Sequence, residues 1–293
     1  MQKRVLDLVM PFLPKRTLSS WVGHVAHYRL PPPLAQKSVE LFARMYQINL
    51  AEAELPLEQY PSIGALFTRR LKPGARPIGP GPVHPADALI IESGTITQGT
   101  LLQCKGRTYA LADLVGNVEV AAAFEHGSYL TYYLCPTDYH RVHSPVEGAV
   151  LWSCHVPGEQ WPVNDWGVKA VANLFCVNER VITLIQNPQG KVAVVMVAAT
   201  NVGNITMSYD SAICTTGRGT PRAVTARSYQ PPKPLSTGEE LGIFHMGSTV
   251  IVLLAPGFLP FDAGALRGCR VKMGASLCPP DAVPGRAVEL GTP

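Results

Sequence analysis

Apolar residues recur at helical spacing through the first fifty positions of the chain. The face of a first amphipathic helix is predicted from Val5, Leu6, Val9, Met10 and Leu13. Three prolines at 31–33 interrupt the pattern, and a second apolar face follows with Val39, Phe42 and Tyr46. The first helix is flanked by Lys3, Arg4, Lys15 and Arg16, which is typical of a helix lying on an anionic membrane surface. Packing on the protein's own core predicts the same spacing, and the two interpretations are compatible.

After about residue 82 the hydrophobic pattern changes to short β-type runs. Gly, Pro, Asn and Asp separate the runs, which lie at 89–91, 129–134, 148–152, 181–185, 192–197, 249–254 and 270–273. A short helix is predicted at 63–70, and helical spacing returns briefly at 111–114. The pattern therefore predicts an α+β fold, with a β-rich core of short, mainly antiparallel strands and N-terminal amphipathic helices.

These patterns divide the chain into three predicted parts. Residues 1–80 form a helical, membrane-associating region, and residues 81–278 form the β-rich core. Residues 279–293 are rich in Pro and Gly and lack periodicity, so we expect a flexible tail.

Composition narrows the class of protein. The chain has 293 residues, of which 46% are hydrophobic and 16% charged, so a substantial globular core is expected. Its net charge of +4 is not arranged as a basic stripe with interleaved aromatics, and no nucleic-acid partner is expected. No stretch reaches the roughly 18 apolar residues of a membrane-spanning helix. The seven scattered cysteines contain no Cys-x-x-Cys and indicate unpaired thiols in a reducing compartment.

The candidate chemistry centres on Gly247, Ser248 and Thr249, directly before the apolar run 250–254. A serine hydroxyl can attack the carbonyl that precedes it where the backbone is bent, and glycine bends most cheaply. We therefore expect cleavage of the chain between Gly247 and Ser248, with Ser248 surviving as a pyruvoyl group.

An acid and a base for this step are available in two other segments. Asp87 lies in a turn before a strand, and His140 and His143 lie in the polar, aromatic segment 135–145. Histidine titrates in the range needed to activate a hydroxyl, and a buried carboxylate can orient the imidazole. Spacing alone does not separate this triplet from structural residues. His140 and His143 lack a third ligand at zinc-like spacing, so no metal is expected.

Several ordered segments carry a resemblance to a known family. They lie at 67–72, 76–78, 85–87, 105–109, 138–145, 178–181, 199–205 and 238–242, the last leading into 247–249. Together they resemble the phosphatidylserine decarboxylase family, bacterial, membrane-associated and pyruvoyl-dependent enzymes, over roughly residues 41–273. Two departures are Met246, where the family usually has Leu or Val, and Ala88, where it commonly has Gly.

The resemblance implies a self-processing enzyme of phospholipid biosynthesis. Asp87, His143 and Ser248 would perform the maturation, with His143 as base and Asp87 orienting it. Cleavage would give a β chain (1–247) and an α chain (248–293) that stay together as a heterodimer, with further dimerisation left open. The pyruvoyl group on Ser248 would convert phosphatidylserine in the membrane to phosphatidylethanolamine and CO₂ by Schiff-base chemistry. The enzyme would act at the cytoplasmic face of the cell membrane, as a peripheral protein.

Three further residues are candidates, and the resemblance supplies the role of His140 alone. His140 would lie near the decarboxylation step, as a proton donor. Arg141 would meet the lipid phosphate or form a structural ion pair, two alternatives that the sequence leaves open. Thr249 is a candidate donor to the oxyanion of the cleavage step.

Two rival functions are compatible with the same residues. A Ser/His/Asp lipid hydrolase would use the triplet without self-cleavage, but the chain lacks the Gly-x-Ser-x-Gly motif around Ser248. A β-rich membrane-binding or carrier module would use Asp87, His143 and Ser248 for structure alone.

Overall fold

A computed structural model describes residues 31–104, 106–200, 204–215, 223–245, 248–259 and 262–278, with the backbone but not the side chain of Ser248. The predicted first helix with its basic flanks, residues Met246 and Gly247, and the predicted tail 279–293 lie outside this part. The division of the chain at residues 80 and 278 stays a prediction.

The described helices are short, apart from the first. They are α1 (Pro32–Met45), α2 (Ile63–Phe67), α3 (Leu111–Val115), α4 (Val118–Ala122), α5 (Asp165–Ala170) and α6 (Leu174–Val177). The predicted helix at 63–70 ends early because Thr68 turns its N–H back to the carbonyls of Gly64 and Leu66. No helix in the described ranges combines the length and the apolar character required to cross a bilayer.

Thirteen strands form the rest of the described fold. The first seven are β1 (Ala88–Thr95), β2 (Thr100–Cys104), β3 (Arg107–Ala110), β4 (Ser128–Leu134), β5 (Arg141–His143), β6 (Gly148–Val156) and β7 (Arg180–Asn187). The others are β8 (Gly190–Ala198), β9 (Ile205–Met207), β10 (Thr225–Leu235), β11 (Glu240–Phe244), β12 (Ser248–Leu254) and β13 (Arg270–Val271).

Eight of these strands form one central sheet in the order β10-β6-β7-β8-β12-β4-β1-β13. A three-stranded sheet, β5-β11-β9, and the hairpin β2-β3 complete the architecture. Each pairing between these strands is antiparallel. The expected α+β fold with mainly antiparallel strands is confirmed.

Strand β12 lies near the middle of the central sheet, between β8 and β4. Residues 250–254 and 192–197 are continuous apolar runs, and both are completely buried. A strand covered on both faces shows such a run instead of an alternating pattern. The position that the sequence marks for cleavage, residue 248, is therefore the first residue of a core strand.

Helix α1 belongs to a second, smaller hydrophobic cluster. This cluster contains Val39, Ala43, Ile48, Tyr60 and Leu66, with Phe42 and Tyr46 packed against it. The predicted apolar face of α1 is thus turned inward. The opposite side of the helix leaves other large apolar residues exposed.

A buried histidine in the core gives the first testable prediction. His84 Nδ1 lies 3.0 Å from the Tyr132 hydroxyl, and burial lowers the pKa of His84 from 6.5 to about 4. Between these two pH values the unfolded chain binds the extra proton and the folded chain does not. The free energy of unfolding should therefore fall as pH is lowered through this window, by on the order of 3 kcal/mol from this group.

Urea unfolding of the His84→Gln variant between pH 7 and pH 4 checks this expectation. The variant should lose less stability on acidification than the wild type. The control is His126→Gln, because the His126 side chain is 76% exposed. An unchanged pH dependence in His84→Gln would contradict the prediction.

Candidate active site

The backbone of Ser248 is fixed on both sides by the central sheet. Ser248 pairs with Leu134 on β4 and with Ala198 on β8. It therefore lies where β12 begins, at one end of the sheet. The conformation of Gly247 and the direction of the serine hydroxyl belong to the part of the chain that the structure does not describe.

Asp87 is buried in the turn before β1, where it accepts four hydrogen bonds. Arg76 donates two of them, from Nε at 2.9 Å and from Nη2 at 2.6 Å. Lys272 Nζ at 3.1 Å and the backbone N–H of Met273 at 2.9 Å supply the others. Arg76 also donates to Glu52 at 2.6 Å, so this buried network joins three distant parts of the chain.

The partners of Asp87 keep its carboxyl group ionised. Burial alone would raise the pKa of Asp87, but the hydrogen bonds from Arg76 and Met273 and the charges of Arg76 and Lys272 outweigh it and lower the pKa. An ionised carboxylate with four donors is already satisfied without an imidazole.

His143 ends β5 and lies beside the turn that carries Asp87, because its backbone N–H donates to the Pro85 carbonyl at 2.8 Å. Its ring Nδ1 donates to the Gly238 carbonyl at 2.8 Å, since a carbonyl can only accept. Nε2 accepts from the Tyr139 hydroxyl at 3.1 Å. Burial lowers the pKa of His143, opposed by the bond to Gly238, so the ring is held neutral.

The expected hydrogen bond from the His143 ring to the Asp87 carboxylate is not formed in this structure. The Gly238 carbonyl bonds the ring nitrogen that a carboxylate would bond, and Asp87 is held by Arg76, Lys272 and Met273 instead. The backbone at Gly238 therefore orients the imidazole.

His140 is completely buried on the other side of the same segment. Its Nδ1 donates to the Asp138 carbonyl at 2.9 Å, and its ring packs on Phe67 with centroids 3.9 Å apart. Burial lowers the pKa of His140 to about 3. The Nε2 atom has no hydrogen-bond partner among the described residues. A neutral ring with its proton on Nδ1 presents a lone pair at Nε2, so His140 must take up a proton there before it can act as the expected donor.

The structure defines the contacts of the other two candidates, Arg141 and Thr249. Arg141 forms an ion pair with Glu240 at 2.6 Å and donates to the Thr68 carbonyl at 2.9 Å. Of the two alternatives for Arg141, the structure contains the ion pair. Thr249 is fully buried, and within the described ranges nothing bonds its hydroxyl oxygen.

Three cations that follow residue 248 each pair with an acid that precedes it. The pairs are Arg267–Glu92 at 3.0 Å, Arg270–Asp138 at 3.7 Å and Lys272–Asp87 at 3.1 Å. In each pair the acid is largely buried and the cation is more than half exposed. The segment around β13 is therefore attached to the preceding part of the chain by three ion pairs, as well as by the pairing of its two strand residues with β1.

Sequence reasoning missed the residues that hold the candidates in place: Arg76, Lys272, Tyr139 and Gly238. Three of them lie inside segments that carry the family resemblance, which was the available signal for Arg76, Tyr139 and Gly238. The block 178–181, by contrast, serves the scaffold. Asn178 bonds the backbone of Trp161 and Ala198, and Arg180 donates to carbonyls at the ends of α3 and α6.

The chain is similar to known proteins over most of its length. The model of the family described as phosphatidylserine decarboxylase matches residues 63–278. A phosphatidylserine decarboxylase proenzyme of Anaeromyxobacter sp. (strain K) is 42% identical over 281 residues, which cover 94% of this chain and 99% of the relative. Proteins of the same name from Myxococcus xanthus and Brevibacillus brevis are 40% and 36% identical, over 91% and 94% of this chain and 95% and 98% of their own lengths.

The network around Asp87 gives a second testable prediction. The Arg76→Gln variant would leave a buried carboxylate with fewer donors, and we expect a loss of about 3 kcal/mol in the free energy of unfolding. Urea unfolding measures this loss. The matched control is Lys169→Gln, which breaks the exposed pair of Lys169 with Asp165 and should cost less than about 0.5 kcal/mol. Equal stability of the two variants would show that the buried network contributes little.

Proposed function

The chain belongs to the phosphatidylserine decarboxylase family, and we propose that it cuts itself between Gly247 and Ser248 and then decarboxylates phosphatidylserine through a pyruvoyl group derived from Ser248. The observation that carries the proposal is the position of residue 248 at the start of a central core strand. The word proenzyme in the names of the relatives supports processing.

The pairing of β12 within the sheet explains how the protein would stay folded after cleavage before residue 248. All seven residues of β12 pair with β4 on one side and with β8 on the other. A break before residue 248 leaves these pairings and the buried side chains of 250–254 in place. The α chain (248–293) and the β chain (1–247) would therefore remain one folded heterodimer.

The cleavage itself would begin with attack of the Ser248 hydroxyl on the Gly247 carbonyl, which turns the peptide bond into an ester. Loss of the Cα proton of residue 248 then expels the Gly247 carboxylate and leaves dehydroalanine. Its hydrolysis releases ammonia and leaves the pyruvoyl group at the new N-terminus. His143 is neutral and holds its proton on Nδ1, so Nε2 is the basic atom. To act as the base, Nε2 must give up its hydrogen bond from the Tyr139 hydroxyl and accept one from the Ser248 hydroxyl.

Two buried atoms without partners among the described residues support a polar reacting group in this site. A pyruvoyl carbonyl supplies an electron sink for the electrons released when CO₂ leaves. Buried polar atoms normally have partners, and His140 Nε2 and Thr249 Oγ1 have none in the described part of the chain. We assign both atoms to hydrogen bonds with the reacting groups, His140 as the site that takes up and returns a proton.

The hydrolase alternative receives no support from the geometry. A serine hydrolase relies on a carboxylate that bonds the ring nitrogen opposite the serine. In this structure that nitrogen of His143 bonds the Gly238 carbonyl, and Asp87 bonds Arg76 and Lys272.

Helix α1 supports attachment to the cytoplasmic face of the cell membrane. Leu34, Leu41 and Met45 lie on one side of the helix and are 56–64% exposed. Lys37 and Arg44 are also exposed, and basic residues beside an apolar stripe favour an anionic lipid surface. We propose that this stripe rests in the interface of a phosphatidylserine-containing membrane.

Processing is tested with the Ser248→Ala variant. Wild-type protein should separate on a denaturing gel into chains 1–247 and 248–293, and the small chain should have the mass of a pyruvoyl start. The variant lacks the attacking hydroxyl, so it should stay a single chain and release no CO₂ from phosphatidylserine. Ser236→Ala changes an exposed serine and should process normally. Decarboxylation by an intact wild-type chain would refute the proposal.

Membrane attachment is tested with the Leu41→Glu variant of the full chain. Burial of one leucine contributes about 1.5–3 kcal/mol, so binding to phosphatidylserine vesicles in a sedimentation assay should weaken about tenfold or more. Val118→Glu places the same charge at another exposed apolar residue, on α4, and should bind as the wild type does. Equal loss in both variants would indicate a general effect of negative charge.

A further inference from the structure

A cavity of about 500 Å³ lies against β1 and β4, the two strands that come next to β12 in the order of the central sheet. Leu89 on β1 and Tyr133 on β4 line it, and the same two residues are register neighbours. Tyr133 is in turn the register neighbour of Thr249 on β12. Residues opposite each other on neighbouring strands point to one face of the sheet, about 5 Å apart. The cavity therefore begins on the face that carries Thr249, one strand away from the residue after the cleavage position.

The walls of the cavity are mainly apolar. Beside Leu89 and Tyr133, they include Ile91, Val163 and Val168. Two basic residues, Arg267 and Lys169, also line it, and both are more than half exposed. The volume is in the range of ligand sites, about 300–1,000 Å³. Each cation pairs with an acid that also lines the cavity, Arg267 with Glu92 and Lys169 with Asp165, so the charges balance and the apolar interior suits the acyl chain of an amphiphile.

One buried acid lines the cavity without being fully satisfied. The Glu92 side chain is 5% exposed, and Arg267 bonds its Oε1 at 3.0 Å. Its Oε2 has no hydrogen-bond partner in the described ranges. Burial raises the pKa of Glu92, and the charge of Arg267 opposes this rise. A buried carboxyl oxygen without a partner points to a polar group that the structure does not contain.

The distance from this acid to the cleavage position is set by the sheet. Glu92 is the register neighbour of Thr131 on β4, and Ser248 is the register neighbour of Leu134 on the same strand. Two strand spacings and three residues of strand rise put the backbones of Glu92 and Ser248 about 14 Å apart. The headgroup and glycerol of a phospholipid span a distance of this order.

We propose that this cavity binds one acyl chain of the phospholipid substrate, with the Glu92–Arg267 pair bonded to the ester that joins the chain to glycerol. The proposal rests on the proposed function, because it places the headgroup at residue 248. Arg267 donates to the ester oxygens, and Glu92 donates when its carboxyl group carries a proton. The apolar walls exclude water from the chain.

The Val168→Phe variant tests the site by filling the cavity. Decarboxylation of dioleoyl and dihexanoyl phosphatidylserine is compared in the same mixed detergent micelles. The ratio of the two kcat/KM values, long over short chain, should fall at least about tenfold, as for the loss of one or two methylene contacts in an apolar pocket. Ile91→Phe fills the cavity from the β1 side and keeps the test valid if Val168→Phe does not fold. Val118→Phe adds the same side chain at an exposed position and should leave the ratio unchanged.

A second readout does not depend on activity. Cys104 lines the cavity as a free thiol, so a bound acyl chain should shield it from N-ethylmaleimide. Peptide mass spectrometry with and without dioleoyl phosphatidylethanolamine should show slower labelling of Cys104, by about threefold or more, relative to Cys214, which lies outside the cavity. Dihexanoyl phosphatidylethanolamine should protect less.

The outcomes separate this inference from the proposed function. Wild-type protein that is neither cleaved nor active contradicts the proposed function. Cleaved, active protein contradicts the acyl site if the filled variants keep the wild-type ratio, or if lipid leaves the labelling of Cys104 unchanged. A fall in the ratio together with protection of Cys104 supports it.

Discussion

Strand β12 is paired along its whole length with β4 on one side and with β8 on the other. This pairing buries a continuous apolar strand in the middle of the eight-stranded sheet and fixes the backbone of residue 248 at one end. The partners of residue 248 on β4 and β8 are held in place by the sheet, and their positions do not depend on the loop that precedes residue 248. The loop can therefore be cut without disturbing the strand, provided that the hydrogen bonds on both sides persist. The register of the same sheet aligns Leu89 and Tyr133 with Thr249. The sheet therefore fixes the position of the cavity relative to the cleavage position.

Burial and neighbouring charges determine which polar side chains of the site are neutral and which are ionised. His140 and His143 are kept neutral because burial lowers their pKa values, and this effect outweighs the opposing bonds to the carbonyl groups of Asp138 and Gly238. Asp87 is kept charged although it is buried, because Arg76 and Lys272 surround it. Neutral imidazoles are suited to accept protons, whereas a carboxylate fixed among cations is suited to hold segments together. The division favours the histidines over Asp87 as the groups that move protons.

Much of the fold followed from local pattern. The apolar run at 250–254 predicted a buried strand, and the change of periodicity near residue 82 predicted the β-rich core. The pairing of Asp87 with Arg76 and Lys272 did not follow, nor did the contact of His143 with Gly238. These partners are far apart in sequence, and one is a backbone carbonyl that no residue type reveals. The cavity lay beyond prediction for a similar reason, since its walls come from β1, β2, β4 and α5 and from the turn before β13.

The three ion pairs around β13 each join residues from opposite sides of position 248 in the sequence. The acids belong to the polypeptide before residue 248 and the cations to the polypeptide after it, in the pairs Glu92–Arg267, Asp138–Arg270 and Asp87–Lys272. At these three contacts the C-terminal piece contributes the positive charge and the larger body contributes the negative charge. Reversing the sign of one member of a pair would place two like charges within 4 Å of each other across the boundary at residue 248, where the largely buried acid could not turn away into solvent.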